Sequence, residues 1–146
     1  MTNSRPDPTS RGARRASRSL TVQGLYQWLV SGEDPGAIDA FLREQQAYDR
    51  CDQDYFDRLL HGAIRESASL RGQFSAQCDR PIGELSPVEH AILLLATYEL
   101  LHMPEVPYRV IINEAIELGK SFGGTDGHKY INGVLDKLAA QLRPHG

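Results

Sequence analysis

Residues 85–100 read LSPVEHAILLLATYEL, and the order of residue types at the start of this stretch decides what kind of fold follows. Ser86 offers a side-chain oxygen to the orphan N–H groups of a helix start. Pro87 suits the first helical position, where its missing N–H has no partner. Glu89, three residues after the serine, reaches back to the cap, so the three form a capping box. The spacing predicts a helix opening at Pro87 with Val88, Ala91, Ile92, Leu95, Tyr98 and Leu101 on its buried face.

The same period extends in both directions. Toward the C-terminus, VIINEAIELGKSF (110–122) predicts a helix starting at Pro107 and stopping at Gly123–Gly124, where a positive φ is wanted after the last turn. A final helix is expected from Thr125 or Asp126 to about Leu142, burying Tyr130, Ile131, Val134, Leu135 and Leu138. Toward the N-terminus, Tyr55, Phe56, Leu59, Leu60, Ala63 and Ile64 mark a helix from about Asp52, and a weaker one covers Ala37 to Tyr48. The first helix runs from about Arg11 to Val30 on Val22, Leu25 and Leu29, with Trp28 beside them, and SGEDPG (31–36) stops it. Residues 72–85 carry no clear pattern. With no strand or hairpin signal and no repeat of fixed period, the fold class is an all-α bundle of six or seven helices.

The chain has 146 residues, the size of one domain, which buries enough surface for a core without metal or disulfide help. Cys51 and Cys78 lie 27 positions apart, outside any CxxC or CxxH pattern, and read as reduced thiols. No apolar run reaches the ~20 residues that cross a bilayer, and the start lacks the apolar segment of a secretory signal, so a cytoplasmic protein is expected. Residues 1–10, MTNSRPDPTS, hold almost nothing apolar and read as a mobile tail, which leaves 11–143 as the folded domain.

Charge is unevenly placed. Residues 1–18 hold five arginines against Asp7, a net +4, so the remainder carries −7 of the chain's −3. Such asymmetry points to a polyanion-binding end on an acidic body. Arg14, Arg15 and Arg18 share a helix side with Val22, Leu25 and Leu29. The core is therefore expected to end near Val22, with the first turns projecting as a cationic extension. Arginines at a helix N-terminus oppose its partial positive charge by about 0.3–1 kcal/mol each unless an anion is near, and phosphates would supply one. The plain alternative is a solvated helix end. Tyr26, about two turns beyond Arg18, adds aromatic surface beside the positive charge, the pairing used by single-stranded RNA binders, although a lone tyrosine at helical spacing is more often core. SFGGTDGHKY (121–130) is a second candidate patch, flanked by Lys120, His128 and Lys129, but it lacks the spacing of a nucleotide loop and reads first as a helix stop followed by an N-cap.

Catalytic patterns are missing: HExxH, GxSxG and GxGxxG do not occur, and His61, His90, His102, His128 and His145 are not at metal-ligand spacing. Glu114 and Glu117 could form a carboxylate pair, but three residues apart on a helix they read as a solvated face. Neither an enzyme nor a metal or cofactor site is expected.

Three stretches, RRASRSLTVQGLYQW (14–28), LSPVEHAILLLATYEL (85–100) and VPYRVIINEAIELGKSFGGTDGHKYINGVLDKLA (106–139), together resemble the bacterial transcription antitermination factor NusB family. The resemblance covers Arg14 to Arg143. It implies two small helical subdomains and binding of the boxA segment of nascent ribosomal RNA. It also implies action together with the small-subunit ribosomal protein that doubles as NusE, to help RNA polymerase read through terminators. By the same resemblance the RNA-binding residues are Arg14, Arg15, Arg18, Tyr26, Lys120, Phe122, Asp126 and Lys129, and the partner-binding acids are Glu84 and Glu89. Ala16 and Ser17 interrupt the arginine run where the family's is denser. A helical domain of this kind also occurs fused to RNA methyltransferases, and 146 residues are too few for the cofactor domain of such a protein. The competing classes are a helical DNA-binding regulator, which would need a recognition helix with several base-reading side chains, and a small helical enzyme.

Overall fold

The computed structural model describes Asp7, residues 9–122 and residues 126–146. Among the described residues there are eight α-helices and no strand: α1 (Arg11–Ser31), α2 (Pro35–Arg43), α3 (Gln46–Arg50), α4 (Gln53–Arg65), α5 (Ser67–Ser75), α6 (Pro87–His102), α7 (Tyr108–Phe122) and α8 (Gly127–Leu142). A short 3₁₀ turn, Ile82–Glu84, precedes α6. The count exceeds the expected six or seven for two reasons. The weak pattern over 37–48 is two helices, broken after Arg43, and the stretch without a clear pattern contains the end of α5.

Local chemistry sets most boundaries. Ser10 Oγ accepts the Ala13 N–H and starts α1. SGEDPG both stops that helix and starts the next. Gly32 takes φ 68°, where a side chain would be strained, and donates to the Trp28 carbonyl. Asp34 then caps α2, with Pro35 in its first turn. Asp52 caps α4 by accepting from Tyr55. At α6 both halves of the capping box form: Glu89 N–H donates to Ser86 Oγ at 3.1 Å, and Ser86 N–H donates to Glu89 Oε1 at 3.0 Å. The expected stop at Gly123–Gly124 and the possible start at Thr125 lie outside the described residues, as does most of the expected tail. Asp126 does precede α8, but its side chain makes no capping hydrogen bond, so the expected N-cap role is corrected.

Helix α6 is the centre of the bundle. The expectation of one buried face understates it: every residue from Ala91 to Leu100 is buried, because α1, α4, α5, α7 and α8 all pack against it. Its approach to α4 is close enough that any side chain at Gly62 would collide with the Tyr98 ring. The apolar core is one cluster running from Leu20 to Ala139. No helix of the described residues is long and apolar enough to cross a membrane, and both cysteines are free thiols.

Candidate nucleic-acid interface

The arginine-bearing start of α1 does not project from the fold. It lies against the bundle, tied at its base by Ser17, whose hydroxyl donates to the Asp52 carbonyl at 2.7 Å, and by the Asp52 N–H, which donates to the Ala13 carbonyl at 3.2 Å. The anions beside this cationic helix start are carboxylates of the chain itself.

Arg18 is the deepest of the three, its side chain only 3% exposed. Its Nε and Nη2 donate to Glu99 Oε1 and Oε2, both at 2.8 Å, and Nη1 lies 3.9 Å from Glu114 Oε1. The Tyr55 hydroxyl donates to the same Glu99 carboxylate. Burial alone would lower the Arg18 pKa, but the Glu99 hydrogen bonds and charge, with Tyr55 and Glu114, more than offset it, and the guanidinium is held charged. Burial first, then the Glu99 charge, raises the Tyr55 pKa well above its ordinary value and keeps the phenol protonated as a donor. With Nε and Nη2 hydrogen-bonded to Glu99 and Nη1 3.9 Å from Glu114, Arg18 is a buried ion-pair partner that also borders the cleft of Arg11 and Arg14.

Arg15 is different. It donates through Nε and Nη2 to Glu114 at 2.9 and 2.7 Å, yet its side chain is 53% exposed, so Nη1 and one guanidinium face remain toward solvent. Glu114 is itself buried, correcting its reading as part of a solvated face. The Arg15 hydrogen bonds hold its carboxyl below the usual range against the effect of burial, with the charges of Arg15, Arg18 and Arg11 adding to them. Arg14 lies over the Tyr55 ring at 4.2 Å and approaches Asp52 at 3.4 Å. The three arginines therefore meet three carboxylates. They also part company: Arg15 faces one cleft, while Arg14 lines another with Arg11, Pro107 and Asn113.

Two adjoining clefts lie on the Arg15 side. The first, about 290 Å³, is lined by Val22, Gln23, Tyr26, Val88 and Phe122. The second, about 250 Å³, is lined by Arg15, Ser19, Glu114, Glu117, Leu118, Ser121 and Phe122. Phe122 borders both. Tyr26 and Phe122 are 41% and 38% exposed, two of the few large apolar side chains left at the surface. The structure thus brings Arg15, Tyr26 and Phe122 together from α1 and α7. Lys120, on the same helix as Phe122, pairs with Glu117 at 3.5 Å. Asp126 and Lys129 form a 3.5 Å pair with side chains 82% and 74% exposed. Among the described residues, no histidine lines the cleft holding Glu114 and Glu117.

The partner-side acids also differ from each other. Glu84 sits exposed in the 3₁₀ turn. Glu89 is half-buried, occupied by the capping box, and lies 3.5 Å from Arg80, whose guanidinium stacks 3.9 Å over the Tyr130 ring. Sequence reasoning missed Arg80, because a cation in an irregular segment shows no pattern. It also missed a cluster of Asp39, Asp57 and His61. There Arg43 donates to Asp39 at 2.9 Å and to Asp57 at 3.1 Å, supplying the positive charge that a metal would bring.

A solved structure of T. maritima NusB covers 88% of this chain and 91% of its own, at a TM-score of 0.79 and 30% identity. A chain in the crystal structure of antitermination factors NusB and NusE in complex with dsRNA shares the fold at a TM-score of 0.78 and 22% identity, covering 90% of this chain and 99% of its own. The chain belongs to the NusB family: the family model matches residues 15–140. The transcription antitermination proteins NusB of Burkholderia mallei and Burkholderia thailandensis are each 62% identical over 134 residues, 92% of both chains.

Proposed function

We propose that this antitermination factor binds the single-stranded boxA segment of nascent ribosomal RNA together with the ribosomal protein NusE, in the cytoplasm, and so promotes read-through by RNA polymerase. The observation that carries the reading is the convergence of Arg15, Tyr26 and Phe122 on two clefts divided by one ring. Base faces need exposed aromatic surface and phosphates need a fixed cation, and both occur here within one short surface. By the family resemblance Lys120, Asp126 and Lys129 also belong to the RNA path, and Arg14 lines a neighbouring cleft that shares Glu114 with that of Arg15. Arg18 acts from inside by holding α1 in place. The acidic body, with Glu84 exposed and Glu89 behind it, suits a basic ribosomal protein, and charge complementarity speeds the docking of such a pair. The solved assembly of NusB and NusE with dsRNA supports the pairing of a NusE partner with RNA.

The test is a titration of a labelled boxA-like RNA with and without the ribosomal protein. Binding is expected to be tighter with the partner. Arg15→Ala should reduce the salt slope by ~0.7, the share of one single-strand phosphate contact. RNA binding that keeps both its affinity and its salt slope in Arg15→Ala would remove the cleft from the RNA path.

A further inference from the structure

The cleft of Val22, Gln23, Tyr26, Val88 and Phe122 is more specific than a generic aromatic surface. Its floor is apolar, from Val22 on α1 and Val88 on α6, and its sides are two exposed rings. Gln23 brings the one amide side chain to it. Gln23 is exposed, and its one hydrogen bond among the described residues is a long donation, 3.3 Å, from Nε2 to the Ser19 carbonyl. Oε1 and the second N–H of that amide are therefore available. An amide offers an acceptor and a donor side by side, the arrangement that reads a base edge in a bidentate manner.

Beyond the Phe122 ring the chemistry changes at once. The adjoining cleft presents Arg15, paired on one edge with the buried Glu114, together with the hydroxyls of Ser19 and Ser121 and the Glu117 carboxylate, which Lys120 neutralises. An apolar slot with one amide, set beside a cation and two hydroxyls, matches a nucleotide: a flat base with hydrogen-bonding edges, joined to a sugar and an anion. An aliphatic protein side chain would fill the slot but leave the amide and the cation without a role.

Building on the RNA-binding reading above, we infer that this slot takes one unstacked nucleobase of the single strand and that Gln23 is the residue that reads its edge. The other charged and aromatic residues of the interface would then set affinity, while Gln23 sets preference at one position of the RNA. Gln23 is at the surface of a long helix and packs against little, so its replacement leaves the fold intact.

The experiment uses the full chain with the ribosomal partner and a set of boxA-like RNAs in which each position carries A, C, G or U in turn. The parent should show a preference of roughly fivefold or more at one position served by this slot. In Gln23→Ala that preference should fall below twofold, with preferences elsewhere unchanged and the melting temperature equal to the parent's. A uniform loss across all sequences, or an unchanged profile, would overturn the assignment. So would a Gln23→Ala or Tyr26→Ala variant that weakens binding of the ribosomal protein in the absence of RNA, since the slot would then be a protein site. A parent chain that binds none of the RNAs would instead overturn the broader RNA-binding reading.

Discussion

Two cationic regions of this molecule look alike in sequence and differ completely in the fold. At the start of α1, Arg18 and its neighbours are answered by Asp52 at the cap of α4, Glu99 on α6 and Glu114 on α7. At the start of α8, the one ion pair of Lys129 among the described residues is with Asp126, three residues away, and both stand in solvent. The first arrangement is a buried network in which removal of one member leaves a charge stranded. The second is a surface pair worth little to stability and open to outside ligands. Charge count does not separate a structural role from a binding role; what surrounds the charge does. Arg15 belongs to both kinds, anchored on one edge and open on the other.

The sharpest way to break this comparison is to remove one cation from each region. Arg18→Ala should destabilise the protein by about 3–5 kcal/mol, because Glu99 is left buried without its partner. Lys129→Ala should stay within about 0.5 kcal/mol of the parent. Urea unfolding of both variants measures the difference, and equal midpoints would abolish the distinction.

A smaller effect is expected at His90, a titratable group that the fold keeps neutral. Burial, and then the charge of Arg71, lower its pKa to about 4, and Arg71 Nε donates to its Nε2 at 2.9 Å. An unfolded histidine titrates near 6.5, so between these values the unfolded chain binds a proton that the native state refuses. Stability is therefore complete above about pH 6.5 and falls as the pH drops toward 4. Unfolding midpoints at pH 7 and pH 5 should differ for the parent and differ less for His90→Gln, which can still accept from Arg71. The window lies above the range where Glu114 and Asp39, both with lowered pKa values, begin to protonate.

The smallest effect concerns Asp126. It makes no capping hydrogen bond, so Asp126→Asn should melt like the parent. If RNA passes this turn, loss of the carboxylate removes a repulsion of about 1 kcal/mol for charges ~8 Å apart at an effective dielectric near 40, and it frees Lys129. RNA binding should tighten several-fold at low salt and less at high salt, as measured by the same titration. Unchanged binding would place the turn off the RNA path.

Much of this was legible from sequence because the strongest signals are local. Ser86, Pro87 and Glu89 marked the start of α6, and the apolar period gave α7 and α8 nearly to their ends. The split between α2 and α3 was hidden, since five-residue helices such as Gln46–Arg50 carry too little period to be seen. The burial of Arg18 is hidden for another reason: a charge in an apolar stripe looks like the end of the stripe. The matching signal lay elsewhere, in Glu99, a lone acid inside the apolar run 91–101, and only folding brings the two within 2.8 Å. Each is the answer to the other's anomaly. The convergence of Tyr26 with Phe122 was likewise out of reach of spacing, because it depends on how α1 and α7 cross the bundle. The family resemblance named both residues without placing them together.

The enclosure of α6 has a consequence for how the chain is made. Its neighbours come from both sides in sequence, α1, α4 and α5 before it and α7 and α8 after it. A nascent chain that has emerged only as far as His102 therefore holds the all-apolar turns from Ala91 to Leu95 with one flank uncovered, the kind of surface that associates with other unfinished chains or with chaperones. Synthesis of the last forty or so residues closes that flank, so the C-terminal helices shelter the middle of the chain during its birth as well as completing its surface.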